Sequence, residues 1–153
     1  LNIMKNFFQK YDDEELNNIL KISSQNIFKQ IGSGHNEKIY HKALKYELDC
    51  LGICCDIERH VNVVYKDSLN KEHVLESERI DMYIFGSEYD IIVELKAICG
   101  SMSEKETIQI NKYFRELRKE KRNIKYGIII NFPQPSSKET KPEIDFKFIL
   151  NEI

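Results

Sequence analysis

The stretch Asp90-Ile91-Ile92-Val93-Glu94-Leu95-Lys96-Ala97-Ile98 decides the fold. It is almost continuously apolar, which is typical of a central strand that is covered on both faces of a sheet. Two charged residues, Glu94 and Lys96, interrupt it, and because alternate residues of a strand share a face, both project to the same side. A buried charge is costly unless it is paired. The strand therefore predicts either a plain Glu–Lys pair near its end or a site with a further charged partner or a metal.

A second carboxylate, Asp81, lies in the preceding strand pattern, residues 73–85. If the two strands form a hairpin that turns near Gly86–Tyr89, Asp81 stands opposite Glu94, because the two residues are equidistant from the centre of the turn. Like charges so placed resist joint ionisation unless a cation lies between them. Hard oxygen ligands favour Mg²⁺ or Mn²⁺ over softer metals. The pair predicts a divalent-cation site.

Hydrophobic periodicity predicts three helices and five strands. The helices are expected at 12–31, about 36–51 and about 104–122, and the strands at 57–66, 73–85, 90–98, 126–132 and 144–150. Ser103 and Glu106 form an S-x-x-E capping box at the start of the third helix. The order α-α-β-β-β-α-β-β predicts an α/β fold in which one mixed central sheet is flanked by helices.

The length of 153 residues predicts a single domain over 1–153, since a chain of this size buries roughly 70% of its unfolded surface. Residues 1–33 are expected to form an N-terminal helical extension, and residues 34–132 carry the core motifs. A surface loop at 133–143 precedes the final strand, 144–153. Neither a repeat nor an interdomain linker divides the sequence.

Charge and composition exclude several classes of protein. There are 23 Lys and Arg residues against 25 Asp and Glu, a net charge of -2, which excludes a basic nucleic-acid coat and an acidic disordered tail. No apolar run approaches the roughly 18 residues of a membrane span, so we expect a soluble, intracellular protein without membrane contact. The four cysteines and four histidines lack metal-ligand spacing, and the thiols are expected to be reduced and mostly buried.

Two helical residues can extend the carboxylate pair. Glu37 lies one turn before the apolar stripe of the second helix, which begins at Tyr40, so we expect it on the buried face as a third carboxylate. Gln109, one turn after the capping box, can reach the same area from the third helix. A solvent-facing helix amide is the alternative for Gln109.

Five sequence blocks, taken in order, resemble the GxxExxY protein family of the PD-(D/E)XK nuclease-like superfamily. They are Gly34-x-x-Glu37-x-x-Tyr40, Arg79-x-Asp81, Ile92-Val93-Glu94-Leu95-Lys96-Ala97, Gln109-x-x-x-Tyr113 and Gly127-Ile128-Ile129-Ile130-Asn131-Phe132. The chain departs from this resemblance at two positions. Glu106 stands where family members often carry a His, and Ile80 stands where the superfamily's name has Pro.

The resemblance implies a restriction-endonuclease-like fold and a metal-dependent nuclease, a hydrolase that cleaves phosphodiester bonds, with DNA as the favoured substrate. It implies that Asp81 and Glu94 are the principal ligands of Mg²⁺ or Mn²⁺. The Leu95 carbonyl and Glu37, directly or through water, would complete the metal shell. Lys96 would activate the attacking water and stabilise charge on the phosphate.

The remaining residues of the blocks would support this site. Gln109 would orient Lys96 or a metal-bound water, and Tyr40, Arg79 and Tyr113 would pack or position around them. The superfamily also contains members without nuclease activity. A catalytically idle nucleic-acid-binding or interaction module on the same fold is therefore the alternative function.

A basic patch between residues 115 and 125 is the expected nucleic-acid contact, because six basic residues stand against two acidic ones there. Its members are Arg115, Arg118, Lys119, Lys121, Arg122 and Lys125. A solvated helix face with i,i+4 ion pairs is the alternative interpretation. The expected partner is DNA, and the oligomeric state stays open, a homodimer included.

Overall fold

A computed structural model describes residues 9–120, 123–135 and 143–152. Its helices and strands follow the predicted α-α-β-β-β-α-β-β order. They are α1 (Asp13–Ile31), α2 (Glu37–Cys50), β1 (Cys55–Lys66), β2 (Glu72–Ile84), β3 (Asp90–Lys96), α3 (Glu104–Arg118), β4 (Ile124–Asn131) and β5 (Asp145–Leu150). The predicted α/β fold of restriction-endonuclease-like type, with one mixed sheet, is confirmed.

The five strands lie side by side in chain order, so β3 is the central strand. It pairs antiparallel with β2 and parallel with β4. A parallel pair needs a crossover connection, and α3 supplies it. Asp90 to Leu95 are all buried, as the apolar composition of this strand predicts.

Each face of the sheet has its own apolar core. Helices α1 and α2 cover one face, where Leu16, Leu44 and Val93 belong to one buried cluster. Helix α3 covers the other face, where Ile92 and Phe114 belong to a second cluster. Neighbouring residues of β3 therefore point into different cores, which is the alternation expected of a strand that is buried on both sides.

Helix α3 begins where the sequence predicts and ends earlier. The Ser103 hydroxyl donates to the Glu106 carboxylate at 3.0 Å and accepts the Lys105 N–H at 3.3 Å. The helix ends at Arg118 and not near 122, because the next N–H groups bond to carbonyls three residues back, as that of Glu120 does. Such bonds tighten a last turn and end the helix.

Part of the β1–β2 hairpin extends beyond the rest of the sheet. β1 and β2 pair from Cys55–Ile84 to Lys66–Glu72, with a gap at Asp81 and a register shift after Val63, whereas β3 pairs only with residues 82–84 of β2. We call residues 59–80, which lie past that pairing, the arm. Leu75 has no partner in β1, because the register shifts there by one residue.

The prediction of mostly buried thiols is not met, and part of the predicted surface loop falls outside the described residues. The thiols are not mostly buried: Cys50, the last residue of α2, and Cys99, in the loop after β3, are exposed. Residues 136–142 of the predicted surface loop lie outside the described ranges. Within those ranges, none of the helices is both long and apolar enough to cross a membrane.

Candidate active site

The site forms where β2 leaves β3. The last paired residues are Met82 and Val93. Continuing this register places Asp81 opposite Glu94, as predicted from their equal distances to the centre of the turn. Side chains replace the backbone ladder at that point. The Asp81 N–H donates to Glu94 Oε1 at 3.1 Å, and the Leu95 N–H donates to Asp81 Oδ2 at 2.8 Å.

The β1 side of Asp81 is interrupted as well. Continuing the β1–β2 register places Glu58 opposite Asp81, but these two residues are not paired. Glu58 has φ 53°, in the left-handed region that non-glycine residues seldom adopt. Asp81 therefore lies at a break in both neighbouring ladders, and one of its carboxylate oxygens accepts the Leu95 N–H.

Glu94 is the most deeply buried carboxyl of the site, at 3% exposure. Burial raises the pKa of Glu94 well above its ordinary value, and the neighbouring Asp81 charge raises it further, while Lys96 opposes both effects. A buried carboxyl beside a second carboxyl needs a proton or a cation to relieve the repulsion. Hard oxygen donors of this kind suit a divalent cation such as Mg²⁺.

Lys96 lies where the ends of three elements meet. Its positive charge lowers the pKa of Glu37 at the start of α2 and of Glu94 on β3, in both cases against a larger effect of burial. Burial also raises the pKa of Glu106 in the first turn of α3, but hydrogen bonds from its own N–H and from Ser103, together with the Lys96 charge, bring it below its ordinary value. The Lys96 carbonyl accepts the Phe132 N–H at 2.8 Å. Lys96 therefore lies at the end of the central strand, among carboxyls from both helix layers.

Glu37 is exposed, so the prediction of a buried position is wrong. It is the first residue of α2, and the buried stripe of the helix starts only at Tyr40. Partial burial still raises the pKa of Glu37, with Lys96 opposing and Asp81 adding to the shift. In the described ranges, no three His, Cys, Asp or Glu residues converge as a metal cluster, so the structure does not bring Glu37 together with Asp81 and Glu94 as a third direct ligand.

Gln109 reaches the site through Tyr113. Its Nε2 donates to the Tyr113 hydroxyl at 2.8 Å, and that hydroxyl donates to the Arg79 carbonyl at 3.2 Å, two residues before Asp81. Burial raises the pKa of the Tyr113 phenol, and the Glu94 charge adds to the shift. The Gln109–Tyr113 pair thus ties α3 to the bend of β2, while the Arg79 side chain pairs with Glu58 at 3.2 Å.

A family model described as the PD-(D/E)XK nuclease superfamily matches residues 13–143. The chain belongs to the PD-(D/E)XK nuclease superfamily. The match begins at α1 and includes every block of the sequence resemblance. Most members of this superfamily are nucleases, which are hydrolases that typically use a divalent metal.

Other comparisons add little to this assignment. The chain superposes on a solved structure titled "Crystal structure of SSO0001" with a TM-score of 0.49 and 17% identity, over 76% of this chain. It spans about half, 51%, of that solved chain. No curated protein matches the chain.

Two residues of this PD-(D/E)XK domain that lie near Lys96 were missed by the sequence reasoning. Asn131 is buried at the end of β4, where its Oδ1 accepts the Ile98 N–H at 3.0 Å and its Nδ2 donates to the Ile98 carbonyl at 3.3 Å. Gln134 follows in the next loop. The sequence does contain an indication for Asn131: it is a polar residue at the end of an apolar strand, and a buried amide requires hydrogen-bond partners.

The basic patch lies away from the PD-(D/E)XK carboxylates. Helix α3 runs antiparallel to β3, so its first turn lies at the site and its last turn at the opposite end of the sheet. Glu106 and Arg118 are separated by about 18 Å along the helix axis. The described patch residues are exposed, and Lys119 pairs with Glu116 at 2.9 Å. Lys121 and Arg122 lie outside the described residues.

Proposed function

We propose that this PD-(D/E)XK domain is a metal-dependent nuclease that hydrolyses phosphodiester bonds of DNA. The Asp81–Glu94 pair carries the proposal, because two adjacent carboxyls at a break in the sheet, one of them deeply buried, are stabilised by a cation. The narrower GxxExxY assignment rests on the five sequence blocks.

Asp81 and Glu94 would hold Mg²⁺ or Mn²⁺, with the Leu95 carbonyl as a further oxygen ligand. Each carboxylate has one oxygen bonded to a backbone N–H, which orients the side chain toward the break between the strands. A cation held by these residues would supply a lowered pKa of a water molecule and neutralisation of charge on the phosphate. Glu37, at the rim, would act through water, since its charge is close enough to sense both Asp81 and Lys96.

Lys96 would orient the attacking water and donate a hydrogen bond to the phosphate. Its position two residues after Glu94 puts its ammonium on the same face of β3. A preorganised positive charge at the point where negative charge develops is among the largest contributions to catalysis. The three neighbouring carboxyls keep the ammonium at this end of the sheet until a phosphate arrives.

The basic patch would contact nucleic acid that flanks the cleavage point. About 18 Å separates the first and last turns of α3, which corresponds to roughly five base pairs at 3.4 Å each. Substrate longer than this could lie on the carboxylate site and on Arg115 and Arg118 at the same time. Gln109 and Tyr113 would act by positioning the bend of β2 that carries Asp81.

A catalytically idle nucleic-acid-binding module is the second candidate function. The observation that favours it is that the described residues offer two adjacent carboxyls and no third ligand of the same kind. Glu106, which stands where related proteins often carry a His, adds negative charge close to the proposed phosphate position.

Cleavage of a panel of single- and double-stranded DNA and RNA, with Mg²⁺, Mn²⁺ or EDTA, separates the two functions. We expect metal-dependent cleavage of DNA by the wild-type protein and none by Asp81→Asn, Glu94→Gln or Lys96→Ala. Glu72→Gln, an exposed change at the far end of the arm, is the matched control. Unchanged cleavage by Glu94→Gln would falsify the nuclease proposal, whereas tight DNA binding without turnover would establish the idle module.

A further inference from the structure

One side chain, Gln134, joins the chain segments that surround the proposed nuclease site. Its Oε1 accepts the Gly34 N–H at 2.8 Å. Its Nε2 donates to the Tyr40 hydroxyl at 3.3 Å and to the Phe132 carbonyl at 3.1 Å. Its backbone N–H donates to the Ile98 carbonyl at 3.1 Å. The amide is therefore bonded on both its oxygen and its nitrogen.

Glu37 lies midway between two of these contacts, three residues after Gly34 and three before Tyr40. Gly34 has φ 94°, a conformation that favours glycine, and this turn leads directly into α2. Tyr40 stacks on Phe132 with ring centroids 4.2 Å apart and donates to the Gly32 carbonyl at 2.8 Å. Gln134 thus holds the first turn of α2 on both sides of Glu37.

The same residue is tied to the strand that carries Lys96. Ile98, two residues after Lys96, bonds to Gln134 and also to both polar atoms of the Asn131 amide. The distance between the start of α2 and the end of β3 is consequently fixed through one loop after β4.

The loop itself is stiff at this point, because Gln134 lies between Pro133 and Pro135. Proline fixes its own φ and restricts the residue before it to extended conformations. Holding the Gln134 amide in one place therefore costs little additional conformational entropy.

We infer that Gln134 is a positioning residue for the nuclease site, which it serves by fixing Glu37 in relation to Lys96 and Asp81. The inference rests on the proposed function. It accounts for the spacing of the Gly34-x-x-Glu37-x-x-Tyr40 block, in which the glycine and the tyrosine are the two anchoring points and the glutamate is the group that they orient.

The test measures the effect of Gln134→Ala twice, once in the wild-type protein and once in the Glu37→Gln variant. We expect kcat to fall about 10²-fold with KM changed less than about twofold, since small misplacements at a reacting centre have effects of this size. In the Glu37→Gln background the same change should have almost no further effect, because residues that act together are not additive. Gln134→Glu keeps the acceptor for the Gly34 N–H and should recover part of kcat.

Mn²⁺ binding measured by calorimetry is the second readout and requires no turnover. Gln134→Ala should raise the Kd for Mn²⁺ about tenfold, as loss of outer-shell partners does. Gln25→Ala, an exposed glutamine of α1, is the matched control. Additive losses in the two backgrounds, or an unchanged Kd in both Gln134 variants, would overturn the inference.

The two proposals fail in different ways. If the wild-type protein cleaves DNA and Gln134→Ala cleaves it equally well, only the positioning role is lost. If the wild-type protein cleaves no nucleic acid but Gln134→Ala still weakens Mn²⁺ binding, only the nuclease proposal is lost. Absence of Mn²⁺ binding by the wild-type protein overturns both.

Discussion

Asp81 and Glu94 are joined by a hydrogen bond from the Asp81 N–H to Glu94 Oε1, and the Asp81 carboxylate in turn accepts the N–H of the residue after Glu94. These two bonds continue the β2–β3 pairing past its last backbone pair and hold the carboxyls side by side. Because burial and the Asp81 charge both raise the pKa of Glu94, the pair is destabilising when both groups are ionised without a cation.

Mn²⁺ should therefore stabilise the wild-type protein against heat, and Glu94→Gln should abolish this effect. At a hundred times Kd, binding contributes about 2.7 kcal/mol, which corresponds to roughly 5–10 °C for a chain of this length. Without metal, Glu94→Gln should unfold at the same temperature or higher, because an amide has no charge to bury. Calorimetry with Mn²⁺ or EDTA measures both effects, with Glu72→Gln as control; an undiminished rise in Glu94→Gln would contradict the ligand role.

Lys96→Met should separate catalysis from metal binding. We expect kcat to fall by about 10²-fold or more, since a charge that stabilises the transition state is lost. Mn²⁺ affinity should be kept or increased, because the Lys96 charge near Glu37 and Glu94 repels a cation. Single-turnover cleavage and calorimetry measure the two quantities. A variant with wild-type kcat, or one that no longer binds Mn²⁺, would argue against the assigned role.

The distance of the basic patch from the carboxylates predicts a dependence on substrate length. Arg115→Glu with Arg118→Glu should weaken binding of a duplex of about 24 base pairs. The affinity of this double variant should also fall less steeply with added salt than that of the wild-type protein, because fewer phosphates are contacted. Binding of a six-base-pair duplex should not change. Lys38→Glu, which lies beside Glu37, should weaken both. Equal losses for long and short duplexes in the Arg variant would contradict this placement.

Cys55 should be alkylated more slowly than the exposed Cys50 and Cys99. Burial raises the pKa of Cys55 to about 11, and Lys45 only partly opposes the shift. At pH 8 about one Cys55 in a thousand is then a thiolate, the reactive form, and this fraction rises about tenfold per pH unit up to pH 10. The exposed Cys50 and Cys99 should react first with iodoacetamide, as peptide mass spectrometry can show. Faster modification of Cys55 than of Cys99 at pH 8 would refute the expectation.

Gly86→Ala should destabilise the protein, because a Cβ at this position would lie 1.8 Å from the Tyr89 carbonyl oxygen. The obstructing atom belongs to the backbone, so the turn between β2 and β3 has to move. A cost of about 1–3 kcal/mol lowers the unfolding temperature by roughly 2–12 °C. Thermal unfolding followed by circular dichroism measures it, and Gly52→Ala, where the space is open but φ is positive, is the comparison. An unchanged midpoint would show that the turn adapts.

The sequence was sufficient for the centre of the site. Glu94 and Lys96 stand out because the strand around them is apolar, and the Asp81–Glu94 pairing follows from counting residues across a short turn. Both inferences depend on local rules, the alternation of a strand and the symmetry of a hairpin. The same rules predicted the element order and placed β3 at the centre of the sheet.

The residues around the rim of the site could not be placed from the sequence, because contacts between distant residues hold them. Gly34 and Gln134 are a hundred positions apart, so no periodicity reveals that one holds the other. Glu37 shares the direction of the buried stripe of α2, yet it is exposed, because it is the first residue of the helix and the buried stripe starts only at Tyr40. The sequence shows the excess of basic residues near residue 118. It does not show that α3 runs antiparallel to β3, which places these residues at the opposite end of the sheet from the carboxylates.

The turn between β2 and β3 spans residues 85–89. Lengthening or shortening it by one residue would bring Asp81 opposite Val93 or Leu95, whose side chains point into the α1–α2 core. Changing it by two residues would keep the faces but displace the two carboxyls from each other by a full side-chain repeat. The spacing of the proposed metal ligands is thus encoded as a count of residues in a surface turn, and insertions or deletions there are more damaging than most substitutions.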